Sequence, residues 1–130
     1  EAEWEYAARG GSKSNGYVYS GSDNIDTVDW YSGTTNGEST RQVGKKLPNE
    51  LGLYDMSGNV WEWCSDWYGG YNATAQTNPQ GPLNGDVRVV RGGSYSDNKL
   101  NEKGCRVSRR NASIPDRRGK GRGLRLVLPK

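Results

Sequence analysis

Apolar positions in this 130-residue chain fall in short runs, separated by long stretches of glycine, serine, asparagine and threonine. The opening Glu1-Ala2-Glu3-Trp4-Glu5-Tyr6-Ala7-Ala8-Arg9 is built of good helix formers and stops at Gly10-Gly11. That pattern predicts a short amphipathic helix with Ala2, Tyr6 and Ala7 on one face. Residues 11–52 read as loops carrying one or two short strands, such as 16–19. In residues 58–64, Val60 and Glu62 alternate with Trp61 and Trp63, the period-2 signature of a strand. Asn78-Pro79, Gly81-Pro82 and Asn84-Gly85 mark turns in the polar loop that follows. Residues 87–91 predict a strand closed by Gly92-Gly93, 104–109 a shorter one, and 124–128 a C-terminal one. The 110–123 stretch between the last two is polar and glycine-bearing, and a loop of that length is usually functional or disordered. Neither an internal repeat nor a linker interrupts the pattern, so residues 1–130 are expected to form a single domain.

Composition changes this picture in two ways. A hydrophobic content of 32% with no Phe would ordinarily point to disorder. Five Trp and eight Tyr argue for a folded domain, because each buries a large area, and 19 Gly allow tight turns. The absence of His excludes a Ser-His-Asp triad, a Cys-His pair and any imidazole-ligated zinc or iron. Cys64 and Cys105 are too far apart for a C-x-x-C motif, and their spacing leaves open both a disulfide and two buried thiols. No apolar run approaches the roughly 20 residues of a membrane span.

Charge is lopsided. The net +3 divides into −7 over residues 1–87 and +10 over residues 88–130. Such a split points to nucleic acid, to another anionic partner, or to a basic lobe resting on an acidic one. Nucleic acid is disfavoured, since no aromatic side chain stands among the basic residues between Ser96 and Lys130 to stack on bases.

Two constellations carry candidate chemistry. Asp55, Gly58, Val60 and Glu62 are spaced so that two carboxylates and two intervening carbonyls can wrap a hard cation such as calcium; the alternative is that the carboxylates cap turns. Trp61, Trp63 and Trp67 beside them read as core. Arg117-Arg118 with Lys120 and Arg122 suit an anion, or serve only to keep an exposed loop soluble. Asp97 and Glu102 have the residue types of an acid/base pair, but nothing else supports catalysis.

Four segments in register, Glu1-Ala-Glu-Trp-Glu-Tyr-Ala-Ala-Arg-Gly-Gly11, Gly52-Leu-Tyr-Asp-Met-Ser-Gly-Asn-Val-Trp-Glu-Trp63, Arg88-Val-Val-Arg-Gly-Gly-Ser-Tyr95 and Gly123-Leu-Arg-Leu-Val127, resemble the formylglycine-generating enzyme (sulfatase-modifying factor) family. The resemblance implies an α+β, C-type-lectin-like fold, loop-rich with a short twisted antiparallel sheet. It also implies that this family's N-terminal strands precede the first motif. It strengthens the calcium expectation at Asp55, Gly58, Val60 and Glu62, which match the family's ligand positions in type. It implies as well that the enzymes' two copper-binding cysteines fall on Asp97 and Glu102, neither of which is a thiol, whereas Cu(I) favours soft sulfur. The iron-dependent thiol-histidine branch uses His ligands, and this chain has none.

A third branch, the variable proteins of diversity-generating retroelements, resembles the chain through Cys105-Arg-Val-Ser-Arg-Arg110, Asn111-Ala-Ser-Ile-Pro-Asp-Arg-Arg118 and Gly119-Lys-Gly-Arg-Gly-Leu-Arg-Leu-Val127. The reading is a non-catalytic ligand-binding domain, receptor- or adhesin-like, with no catalytic metal. Its contacts would be drawn from Asp97, Asn98, Arg109, Asn111, Ser113, Ile114, Arg117, Lys120 and Arg122. The expected partner is a protein or glycan with a locally acidic surface, since guanidinium groups fork onto carboxylates. A cell-surface or extracellular location, reached through an upstream signal, goes with that reading. The alternative is a formylglycine-generating-type oxidoreductase acting on a cysteine of a sulfatase-like substrate.

Overall fold

The computed structural model describes residues 1–98 and 104–127. Helix α1 (Ala2–Ala8) ends where Gly10 takes φ +89°, a conformation that costs glycine nothing. Its buried stripe differs from the one expected. Ala8 is fully buried, Trp4 and Ala7 pack with it against Met56, Val107 and Leu53, and Tyr6 faces outward. Positions 4, 7 and 8 are the i, i+3, i+4 set of one helical face, and the indole at 4 is the largest apolar group available to it. Two single-turn helices follow, α2 (Ile25–Val28), capped by the Asn24 side chain accepting from Asp26 N–H at 3.1 Å, and α3 (Ser32–Thr35).

Four strands make one sheet in the order β3-β2-β1-β4: β1 (Trp61–Trp67), β2 (Arg88–Arg91), β3 (Arg110–Ser113) and β4 (Arg122–Gly123). β2 runs antiparallel to β1 and to β3. β4 lies parallel to β1, with Trp61 opposite Arg122, so the sheet is mixed where an antiparallel one is expected. The chain returns from β3, on one edge, to the start of β1 on the other, and the last strand therefore runs with β1. The fold is α+β and loop-rich.

Strand assignments outside the central pair shift. The 16–19 segment makes only a single bridge, Tyr19 to Ser22. The 104–109 run is a turn, and the expected 110–123 loop holds β3 and β4 instead. Of the expected 124–128 strand, Leu128 lies outside the described residues, and residues 124–127 extend past β4 without a partner strand among the described residues. Leu124, Leu126 and Val127 are exposed there, and Arg125 is the inward side chain.

β1 buries its polar side. Glu62, Cys64 and Asp66 point inward, whereas Trp61, Trp63 and Trp67 are only half-buried, with the Arg88 guanidinium 3.6 Å over the Trp67 ring. The apolar core is correspondingly small, one cluster of Tyr19, Ile25, Val28, Tyr31 and Cys105 and another around Met56. Buried hydrogen bonds knit the two. Ser20 Oγ donates to Ala8 O at 2.7 Å, Asn49 Nδ2 to Ala7 O at 2.7 Å, and Ser57 Oγ to Cys105 O at 3.0 Å. Buried polar groups are tolerated when paired in this way. Both cysteines are free and buried, which resolves the alternative that their spacing left open.

Candidate functional site

The turn after β2 sets the site. Gly92 and Gly93 have φ of +94° and +81°, and a Cβ on Gly93 would meet Cys105 Sγ at 2.5 Å. Only glycine combines that backbone with that approach. The chain then closes on Asp97, whose Oδ2 accepts from Ser94 N–H at 2.6 Å and from Ser94 Oγ at 2.7 Å. Ser32 N–H donates to the Asp97 carbonyl at 3.1 Å. Asp97 is thus half-buried and committed to the turn, and Asn98 next to it is exposed. Glu102 lies outside the described residues. Among the described residues no three His, Cys, Asp or Glu side chains gather into a metal-holding group.

The remaining candidate contacts lie along one strip of chain. Arg109 and Asn111 are exposed at the β3 edge, and Ile114 is 59% exposed just beyond it. Ser113 is the exception. It is buried in β3, with an Oγ that finds no partner, so it belongs to the sheet and not to its surface. Residues 114–121 carry the chain from the β3 edge to the β4 edge, about 14 Å across three strand spacings. Turns at Ile114–Arg117 and Gly119–Arg122 shape that crossing, through N–H to carbonyl bonds of 3.0 and 3.1 Å. Arg117 and Lys120 are exposed on it, and Arg122 is half-buried at its end. Gly121 passes within 3.6 Å of Ser94, measured from the Cβ it lacks, so the strip returns to the Asp97 turn. The sequence residues therefore form a ribbon around the sheet end, not a pocket.

Electrostatics separates the basic residues into two groups. Arg91, Arg110 and Arg125 pair with Glu5, Glu1 and Glu62 of the acidic half. Among the described residues Arg106, Arg109, Arg117, Arg118, Lys120 and Arg122 join no ion pair, and Asp116 is the exposed acid between them. The Nε atoms of Arg106 and Arg122 are buried with no partner. Arg106 escaped the sequence reading because its neighbours Cys105 and Val107 mark it as frame. Its half-burial beside an unpaired ribbon is a tertiary fact.

The Asp55–Glu62 loop is curled by positive φ at Asp55 (+57°), Gly58 (+75°) and Asn59 (+62°). Asp55 Oδ2 accepts from Gly44 N–H at 2.7 Å, while its Oδ1 is buried without a partner. Glu62 Oε2 accepts from Trp4 Nε1 at 2.7 Å, and both Glu62 oxygens accept from Arg125, at 2.7 and 3.0 Å. Val60 packs against Gly123 of β4.

Beneath these loops lies a buried acid that no local pattern announces. Asp29 is fully buried, both of its oxygens lack a conventional partner, and its carboxyl faces the Cys105 thiol and Gly58. Burial, assisted by the nearby Asp97 and Asp55 and opposed by Cys105 and Lys46, pushes this carboxyl up to about 7. Burial also pushes the Cys64 thiol up to about 11 and the Cys105 thiol well above its ordinary range, with Asp29 adding to the latter. Thiols held protonated in this way are poor nucleophiles and poor metal ligands.

Known proteins resemble this chain in sequence and fold. The chain is 37% identical over 143 residues to the formylglycine-generating enzyme of Streptomyces coelicolor, covering 98% of the chain and 45% of the relative. It is 41% identical over 110 residues to "Chaperone protein LppX" of Paenibacillus barcinonensis, covering 72% and 36%. Among solved structures, Treponema denticola variable protein 1 superposes with a TM-score of 0.82 at 37% identity, over 95% of this chain and 44% of that one. The chain spans less than half the length of each of these proteins. Residues 1–130 match the family described as the sulfatase-modifying factor enzyme 1-like domain, to which the chain belongs.

Proposed function

We propose that the domain is a non-catalytic binding module of the variable-protein kind, which presents the ribbon from Arg109 to Arg122, with Asn98, to a partner. The partner is a protein or glycan with a locally acidic surface. The single observation that carries the reading is the set of five cations, Arg109, Arg117, Arg118, Lys120 and Arg122, that join no ion pair among the described residues along a ribbon held by the sheet. Its likeness to Treponema denticola variable protein 1 supports it. Planar guanidinium groups suit carboxylates, and a fixed frame with polar contact residues is the physics of loop-based recognition.

Exchanging Arg109, Arg117, Arg118 and Lys120 together for Ser tests the reading. Exposed loop residues each shift stability by under about 0.5 kcal/mol, so the melting transition is expected to stay within a few degrees of the wild type. Binding to immobilised poly-glutamate is expected to fall at least about tenfold, and wild-type binding to weaken steeply with salt. Retention of binding by the fourfold variant would sink the proposal. Sequences of the same gene from sister isolates test the variable character: differences are expected to concentrate in residues 96–122.

The second reading, an oxidoreductase, has in its favour the identity to the Streptomyces coelicolor enzyme. Copper binding together with oxidation of a cysteine peptide would favour it. The carboxylate of Asp97 at the implied thiol position, turned onto Ser94, favours the binder.

A further inference from the structure

We infer that the guanidinium of Arg125 is the resident cation of the Asp55–Glu62 loop, standing where a divalent ion is implied. Arg125 Nη2 donates to Glu62 Oε1 at 2.7 Å and Nε donates to Glu62 Oε2 at 3.0 Å, a forked pair. The same Nη2 reaches the carbonyls of Tyr54 at 3.0 Å and Asp55 at 3.4 Å. One planar group therefore joins the carboxylate at the end of the loop to the main chain at its beginning, the task a bound calcium would perform. Glu62 is 5% exposed, and its remaining hydrogen bond comes from Trp4.

The donor set left over does not fit calcium. That ion takes six to eight oxygens. With Glu62 engaged by Arg125 and Trp4, and Asp55 Oδ2 held by Gly44, the side-chain oxygen still free is Asp55 Oδ1. The Gly58 and Val60 carbonyls would raise the set to three. A doubly charged ion on Glu62 would also sit against the guanidinium, a like charge, in a poorly solvated place.

This assignment gives the end of the ribbon an anchor that needs no metal. Arg125 follows Arg122 by three residues, and β4 between them pairs with β1 at Trp61 and Glu62. The presentation of the ribbon is therefore independent of chelators.

Thermal melting of the wild-type chain in about 5 mM calcium chloride and in about 5 mM EDTA tests this. The two curves are expected to agree within about 1 °C. Arg125→Gln is expected to melt about 5 °C or more below the wild type in EDTA, and to recover part of that loss in calcium once Glu62 and the carbonyls are released. Calorimetric titration of calcium into the wild type, which does not depend on the variant folding, is expected to give no saturable heat. A saturable calcium-induced rise in wild-type melting, a saturable calorimetric isotherm, or an Arg125→Gln protein that melts like the wild type would each overturn the assignment.

Discussion

At about pH 8.5 the Asp29→Asn protein is expected to resist urea better than the wild type, and by about pH 3.5 that advantage should have gone. Asp29 is buried without conventional hydrogen-bond partners, and its carboxyl is raised from 3.8 to about 7 by burial. The sign follows from proton uptake. Between the two values the folded state binds the proton and the unfolded state has released it, so stability falls as pH rises through this window. The contribution of Asp29 is complete below the unfolded value and lost once pH passes the folded one. Three units correspond to at most about 4 kcal/mol, a large part of a domain's total stability. The groups around the carboxyl are Cys105, Asp97, Lys46 and Asp55. Asparagine keeps the shape and removes the ionisation. Urea midpoints at the two pH values, with an unchanged m-value, isolate the effect as the difference between the two proteins. Parallel pH profiles for wild type and variant would show that the carboxyl is not confined as described.

The parts of this fold legible in sequence are those whose cause is local. The α1 stop at Gly10, the β2 strand and the Gly92-Gly93 turn follow from propensity and backbone sterics. The ribbon is legible as a stretch of residues, since the charge asymmetry of 88–130 lies in the composition itself. Its division into paired and unpaired cations is not. Arg91, Arg110 and Arg125 look like Arg109 and Arg117 in sequence, and only contacts with Glu5, Glu1 and Glu62, more than 60 residues away, set them apart. The same limit explains β1. Its alternation fixed which residues share a face, yet polarity suggested that the tryptophans face the core. Glu62 goes inward because Trp4 and Arg125 are there to receive it, at sequence separations of 58 and 63. The 124–128 apolar run illustrates the converse, since alternation without a partner strand among the described residues leaves Leu124 and Leu126 on the surface. Ser113 has the polar type of an exposed contact residue in a polar stretch, yet it stands in β3 opposite Arg88 and is buried.

Replacing Arg91 with Met is expected to cost about 3–5 kcal/mol, the range for breaking a buried ion pair by removing one partner. The Arg91 side chain is 0% exposed. Its Nη2 pairs with Glu5, its Nη1 donates to the carbonyl of Arg109, its Nε lies 3.5 Å from Glu1, and its guanidinium sits 5.1 Å from the Trp4 ring centre. Methionine approximates the stem volume but leaves the Arg109 carbonyl and a share of two carboxylates without a donor. Those carboxylates differ in what remains to them. Glu5 keeps Arg9 at 2.6 Å on the surface, and Glu1 keeps Arg110 at 2.7 Å in a half-buried place. Most of the loss should therefore come from the Arg109 carbonyl and from Glu1. Adding Glu5→Gln to Arg91→Met is accordingly expected to recover little. Arg9→Met supplies the control, because an exposed i,i+4 pair is worth about 0.3–0.5 kcal/mol. Urea midpoints for the three proteins should rank Arg9→Met near the wild type and both Arg91 variants far below it. A cost under about 1 kcal/mol for Arg91→Met would mean that water reaches this guanidinium in the folded chain. The consequence extends to the ribbon, since the Arg109 carbonyl that Arg91 holds is where the ribbon begins. Loss of Arg91 should therefore raise amide exchange at Arg110 and Ala112 along the β3 edge before the β1–β2 pair opens.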